Sequence, residues 1–216
     1  MRTFHDTVAW LVVASLLQRV RRGMKLDNYL PVLMLATFTL EVFIVANVVH
    51  ASNVAGALLA VILWWSLFRN ASWQAVGLST LLCAMLVAAG LEPFVLNPAP
   101  AAFNWLPFRG LLGGSMYLNV LAICEKVFLY GSLIYLLWQT RLSQTAGVLV
   151  GVAVVSSIEF AQTFFTRHTP EITDPLLLVL AALTMLALTH REALSAEPVP
   201  TGGDALAEAP GSQDLK

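Results

Sequence analysis

Apolar residues gather in long unbroken stretches along this chain, and six of them approach the roughly 20 residues a helix needs to cross hydrocarbon. They cover 30–49 (LPVLMLATFTLEVFIVANVV), 54–68, 75–91, 115–138, 146–165 and 174–189, the second and last being the shortest. An earlier stretch, TVAWLVVASLL (7–17), is too brief to span, and Arg19, Arg21, Arg22 and Lys25 follow it closely. That pattern predicts an amphipathic helix lying in the membrane interface, with a seventh span as the alternative. After His190 the sequence turns to Pro, Gly, Ala and acid, which predicts a disordered tail. The expected fold is therefore all-α: a polytopic transmembrane helical bundle of about six spans plus an N-terminal interfacial helix. Its segments are 1–29 (interfacial helix and basic stretch), 30–103 (the first transmembrane helices and the start of a long loop), 104–189 (a second membrane region) and 190–216 (the tail).

Composition agrees with a bilayer as solvent. Hydrophobic residues make up 58% of the chain and charged residues 12%, with a mean hydropathy of +0.75. A formal charge of −1 without a basic block gives a nucleic-acid partner no electrostatic support. Cys83 and Cys124 lie inside apolar runs, so no disulfide framework is expected. The start MRTFHDT, with Asp6, does not read as a cleaved leader.

Orientation follows from the basic residues between spans. With run 30–49 entering from the cytoplasm, Arg2, Arg19, Arg21, Arg22, Lys25, Arg69, Arg141, Arg191 and Lys216 fall inside and Arg109 and Arg167 outside, nine against two, with Lys126 within a helix. Both termini are then cytoplasmic and the expected location is a cytoplasmic membrane. The loops EPFVLNPAPAAFNWLPFRGLLGG and TRHTPEITDP face outward, the first with Phe94, Phe103, Trp105 and Phe108 as interfacial anchors.

The stretch SSIEFAQTFFTRHTPEITDP (156–175) carries the candidate chemistry. A carboxylate in hydrocarbon costs about 2.5–3.5 kcal/mol on insertion scales, so Glu159 needs partners or water. Ser156, Glu159, Thr163 and Thr166 share a helical stripe with Gln162 beside it, suited either to a helix–helix clamp or to a ligand. Glu125 and Lys126 lie at similar depth on the preceding span but point about 100° apart. Lys126 is placed to neutralise Glu159, and Glu125 to be protonated or to face water. Arg167 and Arg109 suit anionic groups, whether of a ligand or of lipid headgroups. Asp174, before Pro175, reads as a helix N-cap or a site residue. His168 and Glu171 have metal-like spacing without a third ligand, so no metal or cofactor is expected. Glu41 is an intramembrane carboxylate with no partner named by the sequence.

The pieces NWLPFRG (104–110), EKVFLYGSLIYLL (125–137) and SSIEFAQTFFTRHTPEITD (156–174) resemble the VanZ-like family of bacterial integral membrane proteins. The matching positions are Pro107-Phe108, Glu125-Lys126, Glu159, Gln162, Arg167 and Asp174, within 104–189. Leu129 stands where many members carry His, and Leu178 and Ala181 where they carry Asn and Gly. The resemblance implies a cell-envelope protein linked to resistance to teicoplanin, with lipids and a lipid-linked or glycopeptide ligand as partners. Binding is the expected role, with a membrane-embedded enzyme or a proton-coupled carrier as alternatives.

Overall fold

The computed structural model of the protein describes residues 1–20, 26–43, 50–109, 115–166 and 168–195, with backbone alone at Val20, 41–43 and 191–195. Arg21, Arg22, Lys25, Arg167, Gly110, Gly113, Gly114, the Glu41 side chain and the tail from 196 onward lie outside that description.

The described residues form α1 (Arg2–Val20), a 3₁₀ turn (Leu26–Tyr29), α2 (Leu30–Phe43), α3 (Ala51–Leu63), α4 (Gln74–Leu91), α5 (Met116–Trp138), α6 (Gln144–Gln162) and α7 (Thr173–Ser195). A widened π turn, Trp64–Phe68, continues α3. The segments Ala51–Phe68, Gln74–Leu91, Met116–Trp138, Gln144–Gln162 and Thr173–His190 are long and apolar enough to cross a membrane. α2 has 14 described residues, and the run expected to end at 49 continues into positions outside the description. α7 passes the boundary expected at 190. Met1–Ala182 form one compact unit. Leu183–Lys216 form a second, described through Ser195 as helix, in which the Thr189 hydroxyl bonds the Met185 and Leu186 carbonyls.

Local chemistry sets the ends of these helices. Ser143 caps α6, its Oγ accepting from the Ala146 N–H at 3.2 Å. Pro175 falls in the first turn of α7, where a missing N–H costs nothing. Leu78, Leu82 and Met85 of α4, Leu133 and Ile134 of α5, Val155 of α6 and Leu178 of α7 form the buried centre. Leu58, Ile62, Val76, Leu149, Phe160 and Leu180 are each at least 52% exposed. That much apolar surface is foreign to a monomer in water and matches hydrocarbon. The molecule is a membrane-embedded helical bundle.

α1 packs along its length against α3. Its Thr7 hydroxyl donates to the Gly56 carbonyl at 3.1 Å, and its Gln18 amide donates to the Arg69 carbonyl at 3.0 Å. The two partners are 49 and 51 residues downstream, so α1 runs lengthwise and parallel to α3. Val8, Leu11, Val12 and Ala14 are at most 1% exposed. Neighbouring helices use its apolar face, and α1 is not one of the five described segments long and apolar enough to cross a membrane. A Cβ on Gly56 would stand 2.7 Å from Asp6 Cβ and 2.9 Å from the Thr3 carbonyl oxygen, so glycine permits this approach.

The two ends of the bundle differ. At one, Arg69 Nε lies 2.9 Å from the Asp27 carboxylate, which is 1% exposed, and Arg69 also donates to Asn28. At the other, the segment after α4 is knitted to the segment after α6. Asn97 N–H donates to Phe164 O, Ala101 N–H to Thr163 O, Thr166 N–H to Val95 O and Asn104 N–H to Pro170 O, all at 2.8–2.9 Å, and Ile172 N–H to Asn104 O at 3.2 Å. The two segments expected to face outward are thus one backbone-bonded cap.

The close approach of α1 and α3 predicts opposite outcomes for two glycines. Gly56→Ala should lower stability by about 1–3 kcal/mol through overpacking. Gly131→Ala, whose Cβ would meet nothing within 4 Å, should be neutral or stabilising by up to about 1 kcal/mol. Thermal unfolding of the purified protein in detergent checks both.

Candidate functional site

Beneath the cap, α5, α6 and α7 enclose a polar cavity of about 290 Å³ whose walls include Lys126, Glu159, Gln162, His168, Glu171 and Asp174. An adjoining cavity of about 280 Å³ shares Lys126, Glu159, Gln162, His168 and Asp174 and extends to Glu125, Tyr130 and His5. Residues from three helical spans and a loop thus meet in one recess.

Asp174 is its anchor. Being in the first turn of α7 and 9% exposed, it brings both carboxylate oxygens against α5. Lys126 Nζ donates to Oδ1 at 2.6 Å, and the Tyr130 hydroxyl, one turn further along α5, donates to Oδ2 at 2.7 Å. The expected pairing of Lys126 with Glu159 is therefore replaced by pairing with Asp174. The register of α5 against the start of α7 sets the choice. Asp174 also has its oxygens committed to side chains instead of the N-cap role. Tyr130 is absent from the sequence-derived candidates, although its i+4 position relative to Lys126 puts both on one helical face.

Glu159 is 5% exposed, and its Oε2 accepts the Glu171 backbone N–H at 2.8 Å. Its carboxyl group also neighbours that of Asp174. α6 thereby holds the loop over the cavity, and two acid groups stand beside one ammonium. Thr173 continues the fastening: its hydroxyl donates to Glu171 Oε2 at 3.0 Å and accepts the Phe108 N–H at 2.9 Å.

The other sequence-derived residues divide. Gln162 lines the cavity but donates its amide to the Gly90 carbonyl at 3.0 Å, clamping α6 to α4. Ser156 lies apart from the polar cavity, and the Thr163 hydroxyl returns to the Phe160 carbonyl. Glu125 is 54% exposed in its side chain and meets His5 Nε2 of α1 at 3.2 Å, a partner the sequence did not suggest. Arg109 is exposed and outside the cavity wall, next to the anchored Phe108. Arg167 falls outside the described residues. Among the described residues no three His, Cys, Asp or Glu side chains gather to hold a metal ion.

The described wall is acceptor-rich. Glu159, Glu171 and Asp174 face a single lysine that Asp174 already engages. The His168 Nε2 is buried without a hydrogen-bond partner. Such a recess suits groups that bring N–H or O–H donors, since carboxylates only accept when ionised.

The Asp174 pairings predict a measurable coupling. Lys126→Met and Tyr130→Phe should each cost about 1–3 kcal/mol, by leaving a carboxylate oxygen unsatisfied. In a double-mutant cycle Lys126→Met with Asp174→Asn should cost less than the sum of the two, by about 0.5–3 kcal/mol. Denaturant unfolding in detergent measures the cycle, and additive losses would contradict the pairing.

No family model, curated protein or solved structure matches this chain, so its function is inferred from the recess and its surroundings.

Proposed function

We propose that this protein is an envelope-membrane binder that receives the polar part of a lipid or other cell-surface ligand in the recess beneath its cap. The carrying observation is the convergence of Lys126, Tyr130, Glu159 and Asp174 on one cavity inside a bundle whose outer surface is apolar. Ionisable groups at that depth are costly to maintain for packing alone. The resemblance to VanZ-like proteins supports the same reading and extends it to glycopeptide resistance of the teicoplanin type in a bacterial cytoplasmic membrane.

In the proposed orientation the cap faces away from the cytoplasm. Because α1 begins near Glu125 and runs parallel to α3, its first residues lie with the cap, and Arg2 moves to the outer side. The basic balance becomes eight against three, still in favour of this orientation. Only the N-terminus changes side relative to the sequence expectation of two cytoplasmic termini.

The neighbouring Glu159 and Asp174 carboxyls favour a second reading, acid–base chemistry on a lipid-linked substrate. The nearby ammonium of Lys126 would hold the charge balance of such a pair.

Two measurements address these readings. Glu159→Gln keeps an oxygen for the Glu171 N–H but removes the charge, and should reduce co-purified lipid or resistance phenotype relative to a Val179→Leu control in α7. Equal behaviour of both variants would remove the site from consideration, whereas turnover of lipid-linked precursors by purified protein would favour the enzyme. With Cys83 and Cys124 replaced by Ala, Trp105→Cys should react with an impermeant maleimide on intact cells. Labelling only after lysis would reverse the orientation.

A further inference from the structure

A third concavity shares the Glu159 side chain with the polar recess. It measures about 680 Å³ and lies between the cap and α6, lined by Phe103, Trp105, Phe160, Phe164, Ile172 and Pro175 among others. Its wall is largely apolar, yet Glu159 belongs to it as well as to both polar cavities. Phe160 and Phe164, packed edge to face at 5.6 Å between ring centres, form the side contributed by the end of α6. Phe160 is 63% exposed and Trp105 73%, so the groove opens on the surface that the apolar bundle presents to hydrocarbon. One carboxylate therefore borders both the apolar groove and the polar recess.

Two features select an occupant. An apolar groove and a polar cavity that share the Glu159 side chain fit an amphiphile better than a water-soluble ligand, which would leave the aromatic wall uncovered. The described polar wall holds Glu159, Glu171 and Asp174 against Lys126, and Lys126 is already bonded to Asp174 at 2.6 Å. A phosphate or carboxylate entering there meets acceptors of its own sign, whereas a primary ammonium brings charge and three donors. Building on the binding reading above, we propose that the groove holds a hydrocarbon chain of a lipid whose headgroup ends in a primary ammonium, and that this ammonium enters the recess at Glu159.

The test uses the full chain, purified and stripped of lipid, then titrated with equimolar phosphatidylethanolamine, phosphatidylglycerol and phosphatidylcholine and observed by native mass spectrometry. Phosphatidylethanolamine should be retained about tenfold over each of the others, the worth of one charge-assisted hydrogen bond. Phosphatidylcholine separates donor recognition from charge alone, because its quaternary head has no N–H. Glu159→Gln should erase the preference. Ala101→Trp and Ser156→Leu, which narrow the groove from its two sides, should weaken retention of every long-chain lipid, and either folded variant suffices. Equal retention of the three lipids, or preference for phosphatidylglycerol, overturns the ammonium assignment while leaving the binding reading intact if Glu159→Gln still lowers retention. Failure of the wild-type chain to retain any of the three overturns the lipid assignment, and a resistance phenotype sensitive to Glu159→Gln would then show that the site binds something else.

Discussion

An aspartate at the start of a membrane helix, held from both sides by a neighbouring helix, is the constraint around which this bundle's polar chemistry is arranged. Hydrocarbon supplies no hydrogen bonds, so the Asp174 carboxylate must find its partners in protein or trapped water. Lys126 and Tyr130, one helical turn apart on α5, supply a charged and a neutral donor to its two oxygens. The placement is reciprocal: it satisfies the acid and also fixes the register between α5 and α7. Glu159 is then brought close to Asp174 by α6 and turns to the Glu171 backbone for its own donor.

Packing elsewhere makes that arrangement possible. Gly90 lets α4 come close to α6, where a Cβ would stand 2.5 Å from the Ile158 side chain, and its carbonyl receives Gln162. α1 fills the side of the bundle along α3 and presents His5 to Glu125, so that acid also has a partner. Asp27 with Arg69 performs a similar service at the opposite end, where Trp64 also points its indole N–H at Asp27 over 3.4 Å. Asp174, Glu125 and Asp27 are each matched by a side chain from a neighbouring helix or turn.

The helical class and the membrane setting were legible because unbroken apolar runs leave few alternatives. The stripe containing Glu159 was legible too, since i, i+3, i+4 spacing places residues on one face without knowledge of the partner. Which cation would meet which carboxylate was not, because Lys126 had Glu159 and Asp174 within comparable reach and only the α5–α7 register separates them. The packing of α1 was hidden for a related reason. Its apolar stretch is short and its basic flank strong, a pattern shared by interfacial helices and by helices whose polar ends lie level with a neighbour's; the deciding contacts, Thr7 to Gly56 and Gln18 to Arg69, are made between distant parts of the chain. Tyr130 was overlooked because a tyrosine in an apolar run reads as packing until an acceptor is known.

The bond from the Glu171 N–H to Glu159 gives the cap a mechanical role. Glu171 belongs to the same segment that is stitched to Val95–Asn104, so one length of chain is held both by a buried carboxylate oxygen within the bundle and by backbone bonds at its end.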